Sequence, residues 1–179
     1  MLKSATPAIE TFFLINKEIK MSEQLPVKKD DDGKPKRWVE KGPHVIFDTV
    51  TKIYWLKKDS WQDKGKFLNW HEAIEFADKK NMRKIGGFDD WRLPTFDEAA
   101  SLFEISATNT CKGGGTIHLD PTFPEDSFKT QWLTGDTSTR RPRYDYAEGK
   151  QISVDEYSFG SVRICRKEPV KKNNQIRRR

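Results

Sequence analysis

Two periods of apolar residues alternate along this chain of 179 residues, and they place its elements. Near the start, Ile9, Phe12, Phe13 and Ile19 fall on one face of a short amphipathic helix, with Thr6 as its cap and Pro7 in its first turn. Ser22 to Lys41 then loses all periodicity. It is charged, carries Pro and Gly, and reads as an extended or disordered linker. Trp38 stands out there as either a first anchor on the domain or a contact for a partner. From His44 the period becomes two: Val45 and Phe47, then Ile53 and Trp55, predict two strands. Asp48 and Thr51 supply side-chain turn bonds between them. Lys57 to Phe67 reads as a charged loop holding Trp61.

The period lengthens at Asn69. Trp70, Ala73, Ile74 and Ala77 share one helical face, Asn69 and Glu72 form a capping box, and Lys79, Lys80, Arg83 and Lys84 suit the negative end of the helix dipole. A second helix follows Thr95, with Phe96, Ala99, Ala100 and Phe103 on its buried face and Glu98 completing the box. The corner between the helices is Gly86 to Thr95. Gly86 and Gly87 suit a left-handed helix end, and Pro94 stops the helix and extends Leu93. Trp91 is the anchor of this corner. Asp89 or Asp90 pairs with Arg92 or accepts backbone N–H groups, fixing how the helices cross. Beyond it, Ala107 to Thr130 is irregular, with Lys112-Gly113-Gly114-Gly115 as a flexible turn. Strands follow at Thr130 to Thr134, Tyr144 to Tyr146 and Ile152 to Val154. The last two flank a hairpin turn at Glu148-Gly149-Lys150, and Phe159 to Arg166 closes the sheet. The structural motif thus comprises Asp89, Asp90, Trp91, Arg92, Leu93, Pro94, Thr95 and Glu98.

Phe88 to Thr95 resembles the signature of the DUF1566 family, also called the Lcl C-terminal domain family. Asp48 to Trp55, Trp70 to Ile74, Gln131 to Thr134 and Val162 to Arg166 resemble that family's other landmarks in the same order. The resemblance runs from about Val45 to Arg166. It implies an α+β, C-type-lectin-like fold: two short helices packed on a small twisted antiparallel sheet, the two ends of the domain pairing near each other. It also implies a bridge between a helix cysteine and one in the closing strand, but Ala77 holds the helix position here. The expected organisation is an N-terminal arm over 1–41, the domain over 42–167 and a basic tail over 168–179. Residues 1–20 show no cleavage site of a targeting signal, and either Met1 or Met21 serves as the start.

Composition narrows the function more than it names it. Hydrophobic residues make up 35% and charged residues 34%, so six Trp and 11 Phe must supply much of a small core. The net charge of +6 concentrates in the tail ending Arg177-Arg178-Arg179. Its aromatics sit at core periods rather than among the basic residues, which argues against specific nucleic-acid binding. Cys111 and Cys165 pair with each other or remain thiols. Cys165 is read as a buried small side chain, and thiol use favours a reducing compartment. His44, His71 and His118 lack metal-ligand spacing. Lectins of this fold class bind calcium through a carboxylate-rich loop, and Asp120, Glu125 and Asp126 match its spacing poorly. The corner is also similar to a stretch of formylglycine-generating enzymes, whose catalytic cysteine pair has no counterpart here. No catalytic residue, metal or cofactor is therefore expected.

The expectation is a non-catalytic protein-interaction module, an accessory or structural subunit held in a larger assembly. Its contacts would come from arm residues Ile9, Phe12, Phe13, Trp38, Arg177, Arg178 and Arg179. Peripheral membrane contact through 7–20 is compatible with that helix. The alternative is a domain that binds carbohydrate or glycosaminoglycan, with an acidic glycan as partner. A cytoplasmic location is expected, with the periplasm or cell surface as the alternative.

Overall fold

A computed structural model describes the chain at Gly33 and over residues 36–135 and 140–168. The expected arm residues Ile9, Phe12, Phe13, Arg177, Arg178 and Arg179 lie outside the described residues, as does the amphipathic stretch 7–20. The chain divides into two units, Met1–Lys36 and Arg37–Arg179, and the second carries the elements that follow. It mixes strands in small antiparallel sheets with short helices, an α+β arrangement.

The first sheet has the order β1 (Trp38–Lys41), β2 (Val45–Asp48), β3 (Ile53–Leu56), β9 (Cys165–Lys167), all antiparallel. Its first and last strands thus come from opposite ends of the domain. The β2–β3 turn forms as its residues dictate: Asp48 accepts from the Val50 amide at 2.9 Å and from the Thr51 hydroxyl at 2.8 Å. Alternation across the sheet sends Ile46, Trp55 and Cys165 into one core and Val45 and Leu56 into another. Burial on both faces explains why Ile53 to Leu56 is an unbroken apolar run rather than an alternating one.

Two assignments shift at this sheet. The domain reaches back past the expected boundary at 41, because β1 pairs with β2 along its whole length. Trp38, grouped above with the partner-binding arm residues, is 3% exposed. It packs edge-on to Phe123 with centroids 5.2 Å apart, so its ring is an anchor and offers no surface to a partner.

Helix α1 (Ser60–Lys64) replaces the loop expected at Lys57 to Phe67. Asp59 and Gln62 form a reciprocal capping box, and Gly65 ends the helix in the left-handed conformation. Helix α2 (Trp70–Met82) carries the Asn69–Glu72 box as expected. Its buried face is Ala73, Phe76, Ala77 and Lys80, with Trp70 and Ile74 only partly covered. Lys80 does not extend toward solvent at the helix end; its Nζ donates to Asp63 of α1 at 2.8 Å. Helix α3 (Phe96–Ala100) is one turn shorter than the apolar spacing suggests. Ala99 and Leu102 are buried, whereas Phe96 is 44% exposed.

The irregular stretch contains a small hairpin, β4 (Asn109–Thr110) with β5 (Thr116–Ile117), around the glycine turn. The third sheet orders β6 (Thr130–Trp132), β7 (Arg140–Asp145) and β8 (Lys150–Asp155). Before β9 the closing segment touches both halves, bridging Gly160 to Leu68 and Ser161 to Gln131.

Beneath it lies a buried polar node. Arg163, 1% exposed, donates through Nη1 to the carbonyls of Leu56 (2.9 Å) and Lys57, and through Nη2 to Ser127 Oγ at 2.6 Å. Asp59, also buried, accepts from the amides of Gln62 and Phe128. Burial pushes the Asp59 carboxyl up, and the charge of Arg163 opposes that.

Candidate functional site

The corner that the sequence singles out is built from its backbone upward. After Met82 the chain turns through Lys84, left-handed at φ 47°, into a 3-10 turn at Ile85–Gly87. Gly86 has φ 68°, and a Cβ there would lie 2.5 Å from Val45 Cγ2. Both conformation and close approach require glycine. Asn81 then clamps Trp91, accepting from its amide at 2.6 Å and donating to its carbonyl at 2.9 Å. The indole N–H of Trp91 donates to Ile85 O at 2.9 Å, and the ring is 2% exposed.

Arg92 extends the first sheet by one residue, exchanging two 2.9 Å bonds with the Cys165 backbone. Its guanidinium does not pair with Asp89 or Asp90. Both Nη atoms donate to Glu98, each at 2.7 Å. The reason is local geometry: the capping box already turns the Glu98 carboxylate back toward Thr95, where Oε2 accepts the Thr95 amide at 2.9 Å, so it meets the fork. Asp90 instead accepts from Arg166 Nε at 2.5 Å, and Asp89 faces solvent opposite Lys84 at 3.6 Å. Burial pushes the Glu98 carboxyl up, but the Arg92 bonds and the Thr95 amide outweigh it and hold it at about 2. The Glu98 bonds raise the Arg92 pKa in turn. Leu93 and Pro94 are buried, and Pro94 O accepts the Thr134 amide at 2.8 Å, tying the corner to the chain after β6.

Cys165 lies under this pair, its thiol 3.6 Å from Glu98 Oε2 and 3.7 Å from Arg92 Nη1. Both cysteines are free and buried. Burial pushes the Cys165 thiol well above its ordinary range. The histidines stand apart: His118 Nδ1 is 3.0 Å from Ala107 O, and His71 Nε2 is 3.6 Å from Glu156. Among the described residues, no three His, Cys, Asp or Glu side chains gather as metal ligands would. Asp120 serves as a turn acceptor for the Thr122 amide at 2.8 Å.

Beside the corner opens a cleft of about 460 Å³. Trp70, Ile74, Trp91 and Leu93 give it apolar walls, while Asp78, Arg92 and Thr134 give it polar ones. Trp70 is held from behind: its N–H donates to Leu133 O at 3.0 Å, and Arg141 lies 4.2 Å over its ring. An aromatic wall locked in place next to a few polar groups suits a polar ligand or a protruding side chain.

The model of the Lcl C-terminal domain family matches residues 44–175, well over half of the chain. The chain belongs to that family. A comparison with individually characterised proteins finds no match. The described part of this Lcl C-terminal domain contains no helix long and apolar enough to cross a membrane.

The sequence reading missed the α1 box and the Arg163 node. Asp59-Ser60-Trp61-Gln62 is itself a capping-box pattern and could have been read. Arg163 carried no signal, because an arginine flanked by Val162 and Ile164 reads as the solvent side of an edge strand.

Proposed function

We propose that this Lcl C-terminal domain is a non-catalytic protein-interaction module, an accessory or structural subunit of a larger assembly. The observation that carries the reading is a row of side chains crossing the first sheet: Val39, Phe47 and Tyr54, each opposite the next. Phe47 and Tyr54 are half-buried, their rings 4.5 Å apart, and Tyr54 continues to Phe88 at 5.0 Å. Lys41 and Lys52 each lie 5.9 Å from the Phe47 ring, and the buried Arg166 backs the row, 4.1 Å over Phe88. Aromatic side chains interleaved with cations are the composition of interface hot spots. Within the motif Arg92 and Glu98 close on each other and Asp90 closes on the buried Arg166, which favours a folding role for it.

The finer reading of the fold as C-type-lectin-like is supported by β1 and β9 sharing a sheet and by the long irregular stretch before β6. Two buried free thiols favour a reducing compartment, hence the cytoplasm over the periplasm or cell surface. The test is native co-purification with the tagged full chain and its Phe47→Thr/Tyr54→Thr variant, chosen to keep strand propensity. The variant should lose a protein that the parent retains while its far-UV spectrum is unchanged. Identical co-purification from both would overturn the reading.

The second reading, a domain that binds carbohydrate or glycosaminoglycan, is favoured by the cleft with Trp70 and Trp91 in its walls. It predicts retention on heparin or glycan resin that survives removal of 1–36 and 169–179.

A further inference from the structure

A second, smaller recess lies away from the corner, where the start of β2 and the end of β3 meet α1 and α2. Its volume is about 190 Å³, below the ~300–1,000 Å³ usual for drug-sized ligands. Leu56 and Ile85 contribute apolar surface, and His44, Lys57, Lys58, Lys80 and Asp63 contribute the polar groups. Three lysines face one aspartate.

Two features make this more than a patch of surface lysines. The first is Lys80, whose side chain is only 9% exposed. An ammonium has three N–H donors. Among the described residues one goes to Asp63 Oδ1 at 2.8 Å and the ammonium lies 5.0 Å over the Phe76 ring; no second hydrogen-bond acceptor is found, which leaves a donor for the recess. A buried ammonium with unused donors gains most from an anion that water cannot fully replace. The second is the state of the backbone acceptors in the wall. His44 O accepts the Lys57 amide at 2.8 Å, and the carbonyls of Leu56 and Lys57 are both drawn inward by Arg163. These three carbonyl oxygens, which would repel an anion, are therefore engaged elsewhere. Lys58 and the His44 ring are exposed and have no polar partner among the described residues, whereas Lys57 also meets Glu40 at 2.8 Å.

We propose that this recess binds a tetrahedral oxyanion, the phosphoryl or sulfuryl group of a small ligand. Lys80 holds it from the inside and Lys58 and His44 close over it from the outside. The same chemistry is offered by free phosphate or sulfate and by a sulfated sugar, and the recess is separate from the row that carries the interaction reading.

The experiment is a thermal-shift titration of the full chain, with phosphate and sulfate each compared against chloride at matched ionic strength. A heparin-derived disaccharide is titrated in a second arm. Phosphate or sulfate stabilisation alone identifies the free ion; a response confined to the disaccharide identifies the sugar ester; either supports the site. The Lys58→Ala/His44→Ala variant alters two exposed side chains and should melt like the parent in chloride. Its response to the active anion should weaken about tenfold or more, the loss expected when charge-assisted bonds are removed. Lys150→Ala, on an exposed strand end, should leave it unchanged. The proposal is overturned if neither arm exceeds chloride, or if the double variant titrates like the parent.

Discussion

Replacing Glu98 with Gln tests whether the corner is held by its ion pair. The substitution keeps an oxygen for the Thr95 amide but removes the charge that meets both Arg92 nitrogens at 2.7 Å. The Glu98 carboxyl falls from 4.5 to about 2 in the folded chain. At about 1.36 kcal/mol per unit, that sets a ceiling near 3 kcal/mol. Arg92 is 45% exposed, so water screens the pair, and about 1–2 kcal/mol is expected. The sign follows from the depressed value: the folded chain holds the anion better than the unfolded chain does. The contribution is complete above about pH 5 and disappears as pH falls through about 2. Urea unfolding of parent and E98Q at neutral pH should differ by about 1–2 kcal/mol, a shift of roughly 4–8 °C in melting temperature for a domain of this size. The gap should close in steps between pH 5 and pH 2. Equal stability at neutral pH, or a gap that ignores pH, would refute the argument that the pair braces the corner.

Other positions give sharper contrasts. Gly86→Ala should destabilise by roughly 1–3 kcal/mol in urea, since it adds a clash with Val45 to a left-handed backbone, whereas Gly87→Ala, at φ 85° with open space around it, should lose only about 1 kcal/mol. Asn81→Ala removes both bonds that clamp Trp91 and should cost about 2–3 kcal/mol by the same measurement; a loss below 0.5 kcal/mol would mean that packing alone holds the indole. Trp91→Ala should cost about 3–5 kcal/mol by cavity formation. Thiol titration of the native chain should label neither cysteine within minutes and both after denaturation; rapid native labelling would show that Cys111 or Cys165 is not covered.

Local chemistry is what the chain declared on its own. Asn69–Glu72 and Thr95–Glu98 each satisfy orphan amides within one turn, so four residues suffice to mark a helix start wherever it sits. The Asp48–Thr51 turn and the glycines before Trp91 are legible for the same reason. The partner of Arg92 was not, because four carboxylates, Asp89, Asp90, Asp97 and Glu98, lay within reach along the sequence and only the direction of the capping box chose Glu98. Trp38 looked like part of an arm until β1 paired with β2, and Lys80 read only as one of four cations suiting the helix dipole until α1 brought Asp63 against it. Arg163 is the furthest from prediction. Its place depends on Leu56, Lys57 and Ser127, residues far away in the chain. Caps and turns are determined over three or four residues, and the sequence alone fixes them. Which charge is buried, and against what, depends on elements far apart in the chain, and only their packing decides it.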